Sequence, residues 1–130
     1  MIRSIYMAGG FYGDWRQRIR AALPADLFPD VIWFSPETNN QQACLTFVTD
    51  DLKAIDDCDL VLAYLHEAHA LRGTAAEIGY AFAKGKPVYL ILDSKVPDMF
   101  LVGLAKRVFI GIDAFLAWCH ERQDKGMPGL

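Results

Sequence analysis

The chain has 130 residues, of which 53% are hydrophobic and 22% charged, and its formal net charge is −3. This composition supports a folded core and excludes a disordered protein, and the length fits one domain over residues 1–130. An acidic chain has no basic field with which to hold a polynucleotide, so we expect no nucleic acid partner. No apolar run approaches the roughly 18–20 residues that a membrane span needs, so we expect no membrane partner.

Three cysteines occur, at Cys44, Cys58 and Cys119. Their number is odd and no CxxC spacing occurs, which indicates reduced thiols in a cytosolic protein rather than a disulfide framework. The N-terminal segment MIRSIYMAGG runs too quickly into glycine and charge to be a signal peptide. We therefore predict a cytoplasmic protein.

Short apolar runs alternate with helical periodicity along the chain. In chain order, the pattern predicts a strand at 4–8, a helix at 14–22, a strand at 31–34, a helix at 47–58, a strand at 59–65, a helix at 74–84, a strand at 87–92, a short helix at 99–105, a strand at 108–110 and a helix at 113–121. Asp14, Thr49 and Thr74 are the predicted helix caps. The polar tail, residues 122–130, is typical of a mobile segment or a subunit contact.

The strands are continuous apolar runs, which indicates parallel strands with both faces covered by helices. Strand–helix alternation predicts a doubly wound α/β fold, flavodoxin-like or Rossmann-like, with a five-stranded parallel sheet in three αβα layers. Ligands of such folds bind beyond the carboxyl ends of the strands. The site is therefore expected among three loops, residues 8–14, 35–42 and 66–74.

The loop after the first strand carries Gly9, Gly10 and Gly13. It opens a helix, where backbone N–H groups could meet a phosphate or a sugar. The spacing does not fit GxGxxG, so a dinucleotide is weakly supported and we predict no cofactor. An ordinary glycine turn is the alternative interpretation.

Glu77 follows Gly73 and Thr74 at the start of a predicted helix. The spacing of Thr74 and Glu77 fits a capping box, in which Glu77 only ties back to the helix start. The functional alternative places Glu77 in the first helical turn at the ligand edge of the sheet. There the helix dipole favours the ionised carboxylate that a nucleophile needs, and Gly73 allows close approach of the backbone.

The helix before the third strand is rich in acids, and most of them are expected on a solvated face. Asp51 lies four residues before Ile55, on the inward edge, from which a carboxylate can face the site. Asp59 is expected to order the loop before the strand.

His66 and His69 are three residues apart in a predicted loop. A zinc-protease pattern needs histidines at i and i+4 on a helix, so we predict no metal. A histidine that lines the site is the alternative.

Five segments together resemble the nucleoside 2-deoxyribosyltransferase family. They are IYMAGGF at residues 5–11, DLKAI at 51–55 with DLVLA at 59–63, GTAAEIGYA at 73–81, and GKPV at 85–88. The resemblance covers the chain from residue 5 to about residue 92 and is weaker after that. It implies a retaining-glycosidase-like reaction on a nucleoside or nucleotide and a nucleobase.

The resemblance also implies a role for individual residues. Glu77 would be the nucleophile, Tyr6 would orient it, and Asp51 would contact the nucleobase and help to protonate it as it leaves. The substrate-binding positions would be Gly9, Gly10, Phe11, Gly73 and Thr74. Family members assemble as homo-oligomers, and the apolar segment 99–104 is a candidate contact, with a core-packing helix as the alternative.

One position departs from the family. Transferases usually carry an Asp six residues before the nucleophile, and related 5′-monophosphate hydrolases carry a small polar residue, whereas this chain has Leu71. His66 or His69 could supply a polar contact, and Arg72 could hold a 5′-phosphate. Transfer to a second base is the leading hypothesis, and hydrolysis of a nucleoside 5′-monophosphate is the nearest alternative.

Three further alternatives come from other classes. A non-catalytic nucleotide-binding or sensor domain is favoured by the loss of the Asp at Leu71. Phosphoribohydrolases of the lysine-decarboxylase-like family share the Gly-Thr-x-x-Glu segment, but their Pro-Gly-Gly run is absent here. A flavin-binding electron carrier would share the sheet, but the loop at 8–14 has no Ser or Thr for a phosphate loop.

Overall fold

The computed structural model describes residues 2–11, 13–23, 32–36, 46–66, 72–93 and 98–126. Its strands are β1 (Ser4–Gly9), β2 (Ile32–Phe34), β3 (Leu60–His66), β4 (Val88–Asp93) and β5 (Arg107–Ile110). Its helices are α1 (Trp15–Ala22), α2 (Thr46–Asp57), α3 (Arg72–Ala83), α4 (Met99–Leu104) and α5 (Ile112–Asp124).

The five strands form one parallel sheet in the order β2-β1-β3-β4-β5. This is the flavodoxin-like order, and it confirms the predicted doubly wound α/β fold. The chain leaves β1 in one direction to reach β2 and later returns to the other side of β1 as β3. The carboxyl ends of β1 and β3 therefore lie at the switch point, where the adjoining connections diverge and a ligand can enter.

Each face of the sheet has its own core, because successive strand residues point to opposite sides. One core packs α1 and α5 against the sheet and contains Ile5, Met7, Trp15, Ile19, Leu23, Leu60, Leu62, Tyr89, Ile91, Ile112, Phe115 and Cys119. The other packs α2, α3 and α4 and contains Tyr6, Ala8, Ile55, Cys58, Val61, Ala63, Leu65, Ile78, Ala81, Val88, Leu90, Leu92 and Leu101. Covered strands of this kind are the physical reason for the continuous apolar runs.

Asp59 joins the two central strands at their amino ends. Its carboxylate accepts hydrogen bonds from the backbone N–H groups of Arg3 and Ser4, at 2.9 and 3.2 Å. These bonds hold the pKa of Asp59 below its usual value. The ordering role predicted for Asp59 is therefore seen at the start of β1, and β3 itself begins one residue later, at Leu60.

Two of the three predicted helix caps are wrong. Thr49 and Thr74 lie inside α2 and α3, because these helices begin at Thr46 and Arg72. Asp14 occupies the N-cap position of α1, although its side chain makes no capping hydrogen bond. Hydroxyl and carboxylate residues near a helix start are thus a poor guide to the first turn here, since packing against the sheet sets where the helix begins.

Helical spacing places Phe82 on one face of α3 with the buried Ile78 and Ala81, yet Phe82 is 53% exposed. Within α4, Leu101 is buried, whereas Met99 and Phe100 are 72% and 78% exposed. The short helix therefore packs one side against the core and leaves two large apolar side chains on the surface. Across the described ranges, no helix is long and apolar enough to cross a membrane.

Candidate active site

The turn that follows β1 is packed against the first residue of α1. A Cβ atom at Gly9 would lie 2.5 Å from the Trp15 indole, so only glycine fits there. The indole N–H of Trp15 donates to the Gly10 carbonyl at 3.1 Å. Gly9 is therefore required by the protein's own packing, as the ordinary-turn interpretation expects, whether or not a ligand also approaches it.

Arg16 is buried beneath the same turn, with only 2% of its surface exposed. Its guanidinium donates to the Met7 carbonyl at 3.1 and 3.3 Å, to the Gly9 carbonyl at 2.8 Å and to the Gly10 carbonyl at 3.0 Å. Sequence reasoning missed both Trp15 and Arg16. The available signal was an aromatic and a cationic residue in the first helical turn after a glycine-rich loop.

Glu77 lies on the buried stripe of α3. Thr74, Ile78 and Ala81 are buried on this helix, and Glu77 shares their face at helical spacing. Since α3 begins at Arg72, Glu77 is in the second turn, and the prediction of a first-turn position is wrong. The capping box is also wrong, because Thr74 is not at the helix start. A carboxylate therefore occupies a position that packing alone would give to an apolar side chain.

Burial dominates the electrostatics of Glu77. It raises the pKa of the carboxyl group from 4.5 to about 7, against the lowering effect of the Tyr6 hydroxyl. The negative charge of Asp51 raises the pKa further, and the positive charge of Arg16 lowers it. The group therefore titrates near neutral pH, which is typical of a residue with a chemical task rather than of a helix cap.

Tyr6 on β1 stands beside Glu77. Burial, followed by the nearby charge of Glu77, keeps the pKa of its phenol far above the usual value, so the hydroxyl is protonated. Yet the Tyr6 hydroxyl and Glu77 Oε2 are both buried without a hydrogen bond of good geometry from any described residue. The two groups interact electrostatically but share no well-formed hydrogen bond, so each can still bind a ligand.

A pocket of about 230 Å³ opens next to Tyr6, and we call it the Tyr6 pocket. Its described lining residues are Tyr6, Trp33, Phe34, Ser35, Pro36, Asp50, Asp51 and Ala54. The pocket is smaller than the roughly 300–1,000 Å³ that drug-sized ligands occupy, and it combines aromatic walls with two carboxylates. Such walls suit a flat heterocycle whose N–H groups donate to a carboxylate.

The structure thus brings Tyr6, Asp51 and Glu77 together, from β1, α2 and α3. The other predicted site residues are placed differently. Gly9, Gly10 and Phe11 form the turn after β1, with Phe11 exposed, while the Thr74 side chain is buried in α3. A Cβ atom at Gly73 would meet nothing within 4 Å, so packing does not require a glycine there.

His66 ends β3, and its Nε2 lies 3.8 Å from Asp93 Oδ2. Tyr64, two residues earlier on the same side of the strand, stacks on Trp15. This places His66 on the α1–α5 face of the sheet, away from Glu77. Within the described ranges, no group of three His, Cys, Asp or Glu residues could hold a metal ion. Leu71, His69, Cys44 and the predicted loop at 37–42 lie outside the described residues.

The fold has well-matched relatives among solved structures. The 2-deoxyribosyltransferase of Bacillus psychrosaccharolyticus superposes with a TM-score of 0.72 at 20% identity, covering 96% of each chain. The 2-desoxiribosyltransferase of Leishmania mexicana gives 0.66 at 23% identity, covering 91% of this chain and 97% of the other. The CMP N-glycosidase of Clostridium botulinum gives 0.58 at 19% identity, covering 90% and 98%. At these identities the likeness establishes the fold alone.

No protein of curated function is significantly similar to the chain in sequence. The sequence model of one family, described as nucleoside 2-deoxyribosyltransferase, matches residues 5–127. This match runs through β1, α2 and α3, and so includes all three residues of the Tyr6–Asp51–Glu77 group. The chain is therefore a member of the nucleoside 2-deoxyribosyltransferase family.

Proposed function

We propose that the protein cleaves the N-glycosidic bond of a 2′-deoxynucleoside and transfers the deoxyribose to another nucleobase. One observation carries this proposal: a partly buried carboxylate with a pKa near 7, Glu77, lies at the ligand edge of the sheet beside Tyr6 and Asp51. Family membership indicates the class of reaction, and Tyr6, Asp51 and Glu77 are the residues that could perform it.

In the first half-reaction, the ionised Glu77 carboxylate attacks C1′ of the sugar. The C1′–N bond breaks, and the base leaves with the bonding electron pair and takes the proton of Asp51, which is protonated in the reactive form while Glu77 is ionised. The products are a free nucleobase and a sugar ester of Glu77. Tyr6, which remains protonated, donates towards the carboxylate and fixes its direction of attack.

In the second half-reaction, a nitrogen of the incoming base attacks C1′ and the ester bond to Glu77 breaks. Asp51 accepts the proton that this nitrogen loses, and the starting state is restored. Two displacements at C1′ retain the configuration of the sugar. The Tyr6 pocket would hold the base in both half-reactions, with its edge towards Asp51 and its face against the aromatic wall.

Hydrolysis of a nucleoside 5′-monophosphate is the second candidate. It is favoured by the structural similarity to the CMP N-glycosidase of Clostridium botulinum and by Leu71, which replaces the acid usual in transferases. The Tyr6 pocket would hold the base in either reaction, and its described lining contains two carboxylates and neither Lys nor Arg, so it offers no group that would bind a 5′-phosphate.

Product analysis separates the candidates. The protein is incubated with deoxyinosine and adenine, and separately with dCMP, dGMP or CMP, and the products are resolved by chromatography. We expect deoxyadenosine and hypoxanthine in the first mixture. Free base from a monophosphate would favour hydrolysis, and no product in any mixture, at high protein concentration, would favour a non-catalytic nucleotide-binding domain.

We further propose that the chain forms one domain over residues 1–130 and assembles as a homo-oligomer, a dimer or larger. The exposed Met99 and Phe100 support a contact between copies through α4, since large apolar side chains are costly to leave in water. Light scattering coupled to gel filtration tests this, with Met99→Ser and Phe100→Ser expected to favour the monomer. The cytoplasmic location stays a prediction from the sequence.

A further inference from the structure

Arg16 is a buried cation that makes four hydrogen bonds to the backbone at the end of β1. Its guanidinium bonds to the carbonyls of Met7, Gly9 and Gly10, and it lies 4.5 Å from the centre of the Trp15 ring and 5.4 Å from that of Phe11. A planar fork of donors between two aromatic rings has little freedom to move. Arg16 therefore fixes the backbone conformation of the turn.

The position of Arg16 relates it to the candidate active site in two ways. The turn that it holds contains Gly9, Gly10 and Phe11, which the proposed function assigns to the substrate. Its charge also acts on Glu77 and Tyr6 across the sheet. In a poorly solvated region, a fixed charge acts more strongly than it would in water.

We infer that Arg16 is a positioning residue: without touching substrate, it holds the turn after β1 in the shape that receives the sugar or base, and its charge favours the ionised form of Glu77. The first part rests on the proposed function, because it needs a substrate. The second part concerns a proton equilibrium of the protein alone and holds whatever reaction the protein catalyses.

The groups that act on Glu77 come from three elements besides its own helix. Tyr6 on β1 and Arg16 on α1 lower the pKa of Glu77, and Asp51 on α2 raises it. Within the described parts of β3, β4 and α4, no charged group adds to these. Arg16 is thus the cation that opposes both burial and Asp51, and its removal should raise the pKa of Glu77.

The test titrates Glu77 directly by carboxyl ¹³C NMR, with its signal assigned by difference from Glu77→Gln. The variants are Arg16→Met, which removes charge and donors, and Arg16→Lys, which keeps charge without the planar fork. Arg20→Met is the matched control, since Arg20 is on the same helix and lies 3.7 Å from the Met7 sulfur but is not among the charges that shift the pKa of Glu77 or Tyr6.

We expect the Glu77 titration to move to higher pH in Arg16→Met and to stay in place in Arg20→Met and Arg16→Lys. With an active wild type, kcat should fall by roughly tenfold to a hundredfold in Arg16→Met, with a smaller change in KM, and the acid limb of its pH profile should move upward. Arg16→Lys should restore the pH profile but only part of kcat.

Several results would overturn the inference. If Arg16→Met folds and Glu77 titrates in it as in the wild type, then Arg16 has no electrostatic effect on Glu77. If Arg16→Lys has the kcat of the wild type, then the planar guanidinium is not needed to shape the turn for the substrate. If Arg16→Met does not fold, Arg16→Lys decides alone, because a purely structural arginine predicts lower thermal stability with unchanged kcat. If the wild-type protein has no glycosidic activity, the proposed function is wrong. The titration then still measures whether Arg16 changes the pKa of Glu77.

Discussion

The turn after β1 and the second turn of α3 each bury a charged side chain at the same edge of the sheet. Arg16 makes hydrogen bonds to three carbonyls and lies between two rings. Glu77 keeps a buried oxygen without a well-formed hydrogen bond from any described residue, and its pKa rises to about 7. A buried charge with several hydrogen bonds to the backbone, like Arg16, fixes the local chain, whereas a buried carboxylate oxygen without one opposes folding and is typical of a residue kept for chemistry.

The largest expected effect is the loss of activity on replacing Glu77. Glu77→Gln keeps the size of the side chain but removes the nucleophile, so kcat for glycosidic cleavage should fall by at least about a thousandfold. Circular dichroism should show an unchanged fold. A Glu77→Gln protein that retains more than a tenth of the wild-type rate would make Glu77 a structural residue rather than the nucleophile.

Replacing Asp51 should have the next largest effect. Without a proton donor for the leaving base, Asp51→Asn should lose about a hundredfold in kcat. Asp50→Asn is the matched control, because Asp50 adjoins Asp51 in the chain and also lines the Tyr6 pocket. We expect less than about a threefold change for Asp50→Asn. Equal losses in the two variants would show that the pocket needs only negative charge, with no separate role for Asp51.

Replacing Glu77 and replacing Arg16 should change the free energy of unfolding in opposite directions. Since the pKa of Glu77 rises from 4.5 to about 7 on folding, ionisation of Glu77 lowers the free energy of unfolding by roughly 3 kcal/mol. Glu77→Gln should therefore be more stable than the wild type by about that amount above pH 7. The gain should shrink as the pH falls and vanish near pH 4.5, where the unfolded chain is also protonated.

Arg16→Met should be less stable than the wild type by roughly 2–4 kcal/mol, since it removes the four hydrogen bonds from a buried guanidinium to three carbonyls. Urea unfolding at pH 5 and pH 8 measures both variants. A Glu77→Gln protein that is less stable than the wild type at pH 8 would contradict the distinction between the two charges.

The smallest of these effects is expected at Tyr6. Tyr6→Phe removes the hydroxyl that lowers the pKa of Glu77, so the acid limb of the pH profile of kcat/KM should move upward. Loss of one hydrogen bond to a charged group should also reduce kcat by about tenfold. Rates measured between pH 5 and pH 9 separate the two contributions. An unchanged acid limb would mean that the hydroxyl does not contact the carboxylate.

The strands were predictable because the sheet imposes a local pattern. Continuous apolar runs at β1, β3 and β4 reflect cover on both faces, and they predict the parallel sheet and its ligand edge. Helix starts were less predictable. Thr49 and Thr74 are good capping residues by type, yet packing extends α2 and α3 beyond them, so Glu77 lies one turn further from the helix start than its spacing with Thr74 indicates.

The residues that surround and position the candidate site were the hardest to predict from the sequence. Glu77, Tyr6 and Asp51 were selected by family resemblance together with the position of their loops and helices. Trp15 and Arg16 carry no motif, because their role depends on where α1 crosses the end of β1 in three dimensions. The aromatic wall of the Tyr6 pocket also depends on tertiary packing, here of α2 beside the short edge strand β2.

Capture of the sugar ester on Glu77 tests the central claim most directly. The wild-type protein is mixed with deoxyinosine in the absence of an acceptor base, quenched in acid within the first turnover, and measured by intact mass spectrometry with fragmentation. We predict a mass increase of one deoxyribosyl group on the fragment that contains Glu77, and no adduct in Glu77→Gln. An adduct on another carboxylate, or rapid turnover with no adduct at any quench time, would contradict the assignment of Glu77 as the nucleophile.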